Sequence, residues 1–326
     1  MHAASISLIP PGTGGVRDYA TTVGGPLQSP LLELSPSTDT SSLSGDFLLL
    51  HFSGYGFQKR GVPVWLVRKV RSLRTQFKAF GVVFHELFAP YGSPLGSAFW
   101  LSGYQKRIAR QLLGLSDFWL TNREESGRWL LEQHGQAAPH RVLPVFSNVG
   151  EPTSINDDRE PRLVVFGSSG VRSNVYQWAD GEIFRCAKRA GLEIHDIGPA
   201  IQDSALSQQL DHEGVVKHGK LSAQDVSRAL SSAAYGALSY PTDYVSKSGV
   251  FAAYSAHGIC PILLWQHYGK HDGLQANEHY AAGFGALDAS IIDSRRIGRA
   301  AREWYEPHCV NAHVTALRTL ITEARK

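Results

Sequence analysis

One stretch, YPTDYVSKSGVFAAYSAHGICPI from Tyr240 to Ile262, restricts the fold more than any other. Tyr240, Pro241, Thr242 and Asp243 are turn formers. Ser246 suits a helix N-cap, which would put Lys247, Ser248 and Gly249 in the first turn. Val250, Phe251, Tyr254 and His257 recur at helical spacing, so one face packs inward. Gly258 stops the helix, and Ile259–Leu264 is apolar enough for a central strand. A helix N-terminus presents unpaired N–H groups and the positive end of a dipole. Adding a lysine charge, a serine donor and a glycine that lets a ligand approach makes a phosphate or diphosphate site. The competing reading is an ordinary capped helix with a solvated lysine.

Similar strand–turn–helix units recur along the chain, which predicts an α/β fold with parallel sheets. Ile6–Ile9 runs into Pro10-Pro11-Gly12-Thr13-Gly14-Gly15 and a helix start at Val16–Ala20. It is not the dinucleotide fingerprint, because the third glycine would fall at Arg17. Gly24–Gly45 reads as mostly loop, with a strand at Leu31–Leu34. Phe47–Phe52 reads as a buried strand feeding a flexible aromatic loop, Ser53–Phe57. Val82–Phe84 is a strand ending in His85-Glu86, a pair that suits either chemistry or a structural hydrogen bond. A loop over 89–96 leads to a helix at about Ala98–Leu113. Then come a strand at Phe118–Thr121, a helix at Glu124–His134 and a strand at Val142–Phe146. Glu151–Pro161 is polar and bounded by prolines, the best linker in the chain. Leu163–Phe166 then feeds Gly167, Ser168 and Arg172, a small-residue loop with a guanidinium able to pair with phosphate. Its helix is expected over Val175–Ala190, followed by strands at Leu192–Ile197, Gly214–His218 and Tyr235–Ser239. Ser222 caps a helix to Ser232. Phe284–Ala286 and Ile291–Ile292 are weak strands, and Asp293 or Ser294 caps a helix to about Tyr305. The expected division is an N-terminal domain at 1–150, a linker at 151–161, a C-terminal domain at 162–306 and a final helix at 307–326.

The 326 residues carry a net charge of +3, but not evenly. Lys59, Arg60, Arg68, Lys69, Arg71, Arg74 and Lys78 meet no acidic residue between Asp46 and Glu86, and apolar residues interleave with them. A basic amphipathic helix there, with Arg68, Lys69, Arg71 and Arg74 outward, suits an anionic membrane surface. A core-packed helix with a solvated basic face would look the same. No nucleic-acid-binding motif accompanies the charge. The cysteines Cys186, Cys260 and Cys309 are far apart and odd in number, with neither a disulfide framework nor metal-ligand spacing. No apolar run approaches the ~20 residues that span a bilayer, and residues 1–15 do not read as a signal peptide. The expectation is a cytoplasmic protein, at the inner face of the membrane if the basic helix docks there.

Taken together, Pro11–Tyr19, Val83-Phe84-His85-Glu86, Val165-Phe166-Gly167-Ser168 and Lys247–Val250 through Gly258–Pro261 fall in the order found in one family. The chain resembles GT-B fold glycosyltransferases, close to the retaining, bacterial family 4 enzymes. The resemblance implies two Rossmann-like, doubly wound domains facing across a cleft. It implies hexosyl transfer from a UDP- or GDP-linked sugar to a glycan or lipid-linked acceptor, as in polysaccharide biosynthesis, without metal or other cofactor. The first domain would take the acceptor, with Asp18 and Tyr55 as contacts. Gly14 and Gly15 would approach the diphosphate. His85, with Glu86, would serve the donor sugar. Arg172 and Lys247 would stabilise the leaving diphosphate. Gly167, Ser168, Asp243, Tyr244, Ser248, Gly249 and Val250 would complete the nucleotide-sugar site. The family's two glutamates, seven residues apart, fall at Val245 and Ala253, with Asp243 as a substitute acid. That departure leaves a second possibility, a catalytically silent GT-B-like subunit that binds a partner glycosyltransferase or a glycan. A nicotinamide-dependent oxidoreductase fits less well, for want of the third glycine.

Overall fold

The computed structural model describes residues 5–88, 97–134, 138–156, 158–288 and 293–325. The loop expected over 89–96 and the strand at Ile291–Ile292 lie outside them. The chain forms two compact units, Met1–Pro144 with Val310–Lys326, and Val145–Cys309.

In the first unit the order is β1 (Ile6–Ile9), α1 (Gly15–Leu27), β2 (Leu31–Glu33), β3 (Gly45–Ser53), α2 (Gly54–Phe57), α3 (Val64–Arg74), β4 (Phe77–Glu86), α4 (Ser97–Leu115), β5 (Phe118–Thr121), α5 (Glu124–His134) and β6 (His140–Val142). The six strands are parallel in the order β2-β1-β3-β4-β5-β6. Helices must therefore cover both faces, which explains why Phe47–Phe52 of β3 is buried without alternation. Strand order reverses between β1 and β3, and ligands of open α/β sheets bind outside the carboxyl ends at such a point.

The second unit runs β7 (Glu160–Phe166), α6 (Ser169–Gln177), α7 (Glu182–Arg189), β8 (Glu193–Ile197), α8 (Ser204–His212), β9 (Val216–Gly219), α9 (Ala223–Ser232), β10 (Ala233–Ser239), α10 (Gly249–Ala256), β11 (Cys260–Leu264), β12 (Ala281–Ala282) and α11 (Ser294–Tyr305). Its strands are parallel in the order β12-β11-β10-β7-β8-β9, with the reversal between β7 and β10. The last helix, α12 (Val310–Glu323), belongs to the first unit.

Several boundaries differ from the sequence reading. The units divide after Pro144 rather than at 150, because residues after it bond within the second unit. The Val145 amide donates to the Ser246 carbonyl at 2.9 Å and the Ser147 amide to Tyr305 Oη at 2.8 Å. β7 begins at Glu160, inside the expected linker. α1 continues through Gly24, Gly25 and Pro26 where loop was expected. Residues 53–57 form the end of β3 and a helical turn with Phe57 buried, not a flexible loop. The basic helix ends at Arg74, since Phe77 already starts β4. β6 covers only His140–Val142. The helix expected over Val175–Ala190 is two helices, broken where Ala179, Asp180 and Gly181 all take positive φ. Phe284–Asp288 is a 3-10 turn, not a strand.

Candidate functional site

At the switch point of the first sheet, the turn after β1 carries Gly14 at φ 137°, a conformation that L side chains rarely adopt. Among the described residues no side chain caps the start of α1, whose first amides have no partner within the helix. Arg17 clips this turn in place, donating to the Gly12 carbonyl at 2.6 Å and pairing with Glu33.

Beside it, His85 is the next-to-last residue of β4. The β3–β4 register slips there: Phe52 faces Phe84, but Ser53 faces Glu86, so His85 is the residue of a bulge that re-aims its side chain. Ser53 Oγ donates to Glu86 Oε2 at 2.7 Å. The buried His85 ring lies 3.2 Å, Nε2 to Nδ1, from fully buried His51. The edge-on Tyr19 ring has its centroid 4.8 Å from that of His85. Burial pushes His51 down to about 3, so its ring is neutral and has one N–H. Its Nε2 is buried with no partner among the described residues. An orphaned buried donor is costly, so the proton belongs on Nδ1 and is donated to His85. On the other side, His313 of α12 donates from Nε2 to the Pro144 carbonyl at 2.8 Å. Its Nδ1 therefore accepts from the Tyr19 hydroxyl at 2.7 Å. His85 is thus packed against a strand neighbour, His51, and against Tyr19 of α1, whose hydroxyl is bonded to His313 of α12.

The switch point of the second sheet holds the other group. Between β10 and α10, Thr242–Lys247 is a 3-10 turn. It is pinned by Thr242 Oγ1 to the His267 carbonyl (2.9 Å) and by Ser246 Oγ to Asp272 Oδ2 (2.6 Å). Ser246 is therefore not the N-cap. Ser248 is, its Oγ accepting from the Phe251 amide at 3.2 Å. Lys247 stands just before the helix, half-buried, with Nζ 5.6 Å from the Tyr244 ring centroid. The Ala252 amide returns to the Ser248 carbonyl, which leaves the amides of Gly249 and Val250 without a recorded acceptor among the described residues. Gly167 abuts this start, since a Cβ placed on it would lie 3.2 Å from Val250 Cγ2. Gly249 in turn lies near Asn148, whose Oδ1 would be 3.8 Å from a Cβ there. A lysine beside such amides at the end of a parallel strand has the chemistry that an anion would need.

No protein-family model and no curated protein matches the sequence. Solved structures do. The pneumococcal O-GlcNAc transferase GtfA, in complex with UDP and GlcNAc, aligns with TM-score 0.55 at 12% identity over 86% of this chain and 57% of its own. This chain therefore spans little more than half of GtfA. Anabaena HepE, in complex with UDP and glucose, aligns with TM-score 0.60 at 12% identity, covering 98% of this chain and 100% of its own. WaaB, a lipopolysaccharide outer core galactosyltransferase in apo form, gives 0.52 at 12% identity and 99% of each chain. The fold is that of the GT-B glycosyltransferases.

Within the GT-B frame, Gly14, Gly15, Asp18, Tyr55, His85 and Glu86 fall in the first unit. Gly167, Ser168, Asp243, Tyr244, Lys247, Ser248, Gly249 and Val250 gather at the second sheet's switch point. Arg172 is a correction. It sits inside α6 with its side chain 1% exposed, paired with Asp196 and bonded to the carbonyls of Gly167 and Pro199. The Asp196 carboxylate also accepts from the Tyr176 hydroxyl at 2.8 Å. Gly198 makes room, since a Cβ there would lie 2.6 Å from Arg172 Nε. The guanidinium thus braces the loop after β7 from behind instead of facing a ligand. Val245 and Ala253 are fully buried in an apolar cluster with Phe251 and Tyr254, where a glutamate would have no partner. Lys69 and Arg74 are also corrected. Lys69 Nζ donates to the carbonyls of Ser35, Pro36 and Thr38, and Arg74 pairs with Asp117 at 2.6 Å. Sequence reasoning missed His51, Tyr19, His313 and Asn148. His51, the lone polar residue inside FLLLHF, was the one visible signal.

Proposed function

We propose that this chain transfers a hexose from a nucleotide-diphosphate sugar to a glycan or lipid-linked acceptor. The observation that carries the reading is Lys247 beside the open amides of Gly249 and Val250. A leaving diphosphate needs its growing charge met by fixed donors, and cations and helix dipoles do so without a metal ion. GtfA and HepE are both solved with UDP, which supports uridine diphosphate as the leaving group. His85, held by His51 and Tyr19, is assigned to the donor sugar, and Asp18 and Tyr55 to the acceptor. Transfer proceeds with retention: the bond from the anomeric carbon to phosphate breaks, a bond to the acceptor oxygen forms on the same face, and a phosphate oxygen takes the acceptor's proton. No protein nucleophile is required. The test is a panel of nucleotide-diphosphate sugars, scored by release of the nucleotide diphosphate. Release from a UDP-sugar supports the reading. UDP binding without release from any donor favours the silent subunit, which the apolar Val245 and Ala253 recommend.

A further inference from the structure

The second sheet carries a pair of histidines that the transfer reaction does not use. β9 ends the strand order of that sheet, and its register against β8 slips. His195 faces Val216 and Asp196 faces Lys217, but Ile197 faces Gly219, so His218 is the extra residue of a bulge. Gly219 permits the bend at φ 68°. On β8, Asp196 turns to Arg172, and strand alternation puts His195 on the opposite face. There the two imidazoles meet. His195 Nδ1 lies 2.9 Å from His218 Nε2, with ring centroids 5.0 Å apart. The other nitrogen of His195, Nε2, donates to Glu193 Oε2 at 2.7 Å.

A histidine that holds a metal through one nitrogen commonly donates its other N–H to a carboxylate, which fixes the ring. His195 is built that way, buried to 8% side-chain exposure with Nε2 committed to Glu193. Its Nδ1 is left aimed at His218, which is open to solvent. The nearby cations are already matched, Arg162 by Glu160 and Glu193, Lys217 by Asp211. Tetrahedral zinc, about 2.0–2.1 Å from each nitrogen, would set the pair roughly 3.3–3.4 Å apart. A small turn of the exposed His218 side chain supplies the difference. Among the described residues no third histidine, cysteine or carboxylate completes a protein cage, so water takes the remaining positions. Imidazole ligands favour zinc, copper or nickel over magnesium or calcium.

We propose that His195 Nδ1 and His218 Nε2 bind a zinc ion, with Glu193 orienting His195, and that the ion staples β9 to β8. The proposal does not depend on the reaction assigned above, because β8 and β9 lie on the far side of β7 from β10 and α10. The test is calorimetric titration of zinc, and separately of magnesium, into the untagged full chain after EDTA treatment. The wild type takes up one zinc ion and no magnesium, and zinc raises its melting temperature. His218→Gln and His195→Gln each weaken zinc at least roughly tenfold, and Glu193→Gln, which keeps both ligands, does so roughly 10- to 100-fold. His279→Gln, which removes an imidazole beside Glu278 near the sheet's opposite edge, leaves the affinity unchanged. His218→Gln alters an exposed side chain and keeps the test valid if the buried His195→Gln fails to fold by circular dichroism. No zinc uptake by the wild type overturns the proposal. So does wild-type affinity in either His218→Gln or Glu193→Gln, because the ion is then held by unrelated surface groups.

Discussion

Replacing Arg172 with methionine separates a brace from a ligand contact. The guanidinium and the Asp196 carboxylate are both buried, with Tyr176 as the carboxylate's second partner. Removing one partner of such a pair leaves a charge without compensation, at about 3–5 kcal/mol. For a domain of this size each kcal/mol is worth roughly 2–4 °C, so the second unit should melt roughly 6–20 °C lower. If burial of a lone charge is the cause, removing the remaining polar partners should repair it. Arg172→Met/Asp196→Leu/Tyr176→Phe should recover most of the loss, short of the wild type because the Gly167 and Pro199 carbonyls lose their donor. Differential scanning calorimetry reads the melting, and UDP titration well below the transition reads the ligand site. The expected pattern is a large fall in melting temperature with UDP affinity changed less than threefold. A variant that melts like the wild type but loses UDP affinity tenfold or more would refute the reasoning and return Arg172 to the diphosphate.

His51 predicts a pH signature. Its folded pKa is about 3 against an ordinary 6.5, so below pH 6.5 the unfolded chain takes up a proton that the folded chain refuses. Stability contributed by His51 is intact above 6.5 and falls by up to about 1.4 kcal/mol per pH unit toward pH 3. Urea melts from pH 6.5 to 4.5 should show a shallower decline for His51→Leu; an unchanged slope contradicts the neutral, buried ring. Restoring an acid where the resembling family has one, by Ala253→Glu, places a carboxylate in an apolar cluster and should cost more than about 4 kcal/mol. A folded variant with wild-type melting would show that the site tolerates the charge.

Local chemistry made much of the fold legible. β1, β5 and α5 have the expected limits, because apolar runs and turn residues bound them on both sides. Ser222 caps α9 as read. Residues whose role is set by distant partners were not legible. Nothing near Arg172 in sequence announces Asp196, 24 positions on, and without it a guanidinium after a glycine turn reads as a phosphate contact. Lys69 looks solvated until the loop carbonyls at 35–38 fold against it. His313 reaches Tyr19 from 294 residues away, beyond any periodicity argument. Ser246 lost the cap to Ser248 because Asp272, a tertiary partner, claims its hydroxyl.

Calorimetric titration of UDP and UMP into the wild type and Lys247→Ala, at one salt concentration, bears most directly on the diphosphate site at α10. A charge-assisted contact is worth about 1.5–3 kcal/mol, so the substitution should weaken UDP roughly 10- to 100-fold. UMP, which lacks the second phosphate, should bind both proteins alike. UDP affinity unchanged by the loss of Lys247, or no UDP binding by the wild type, would contradict the account.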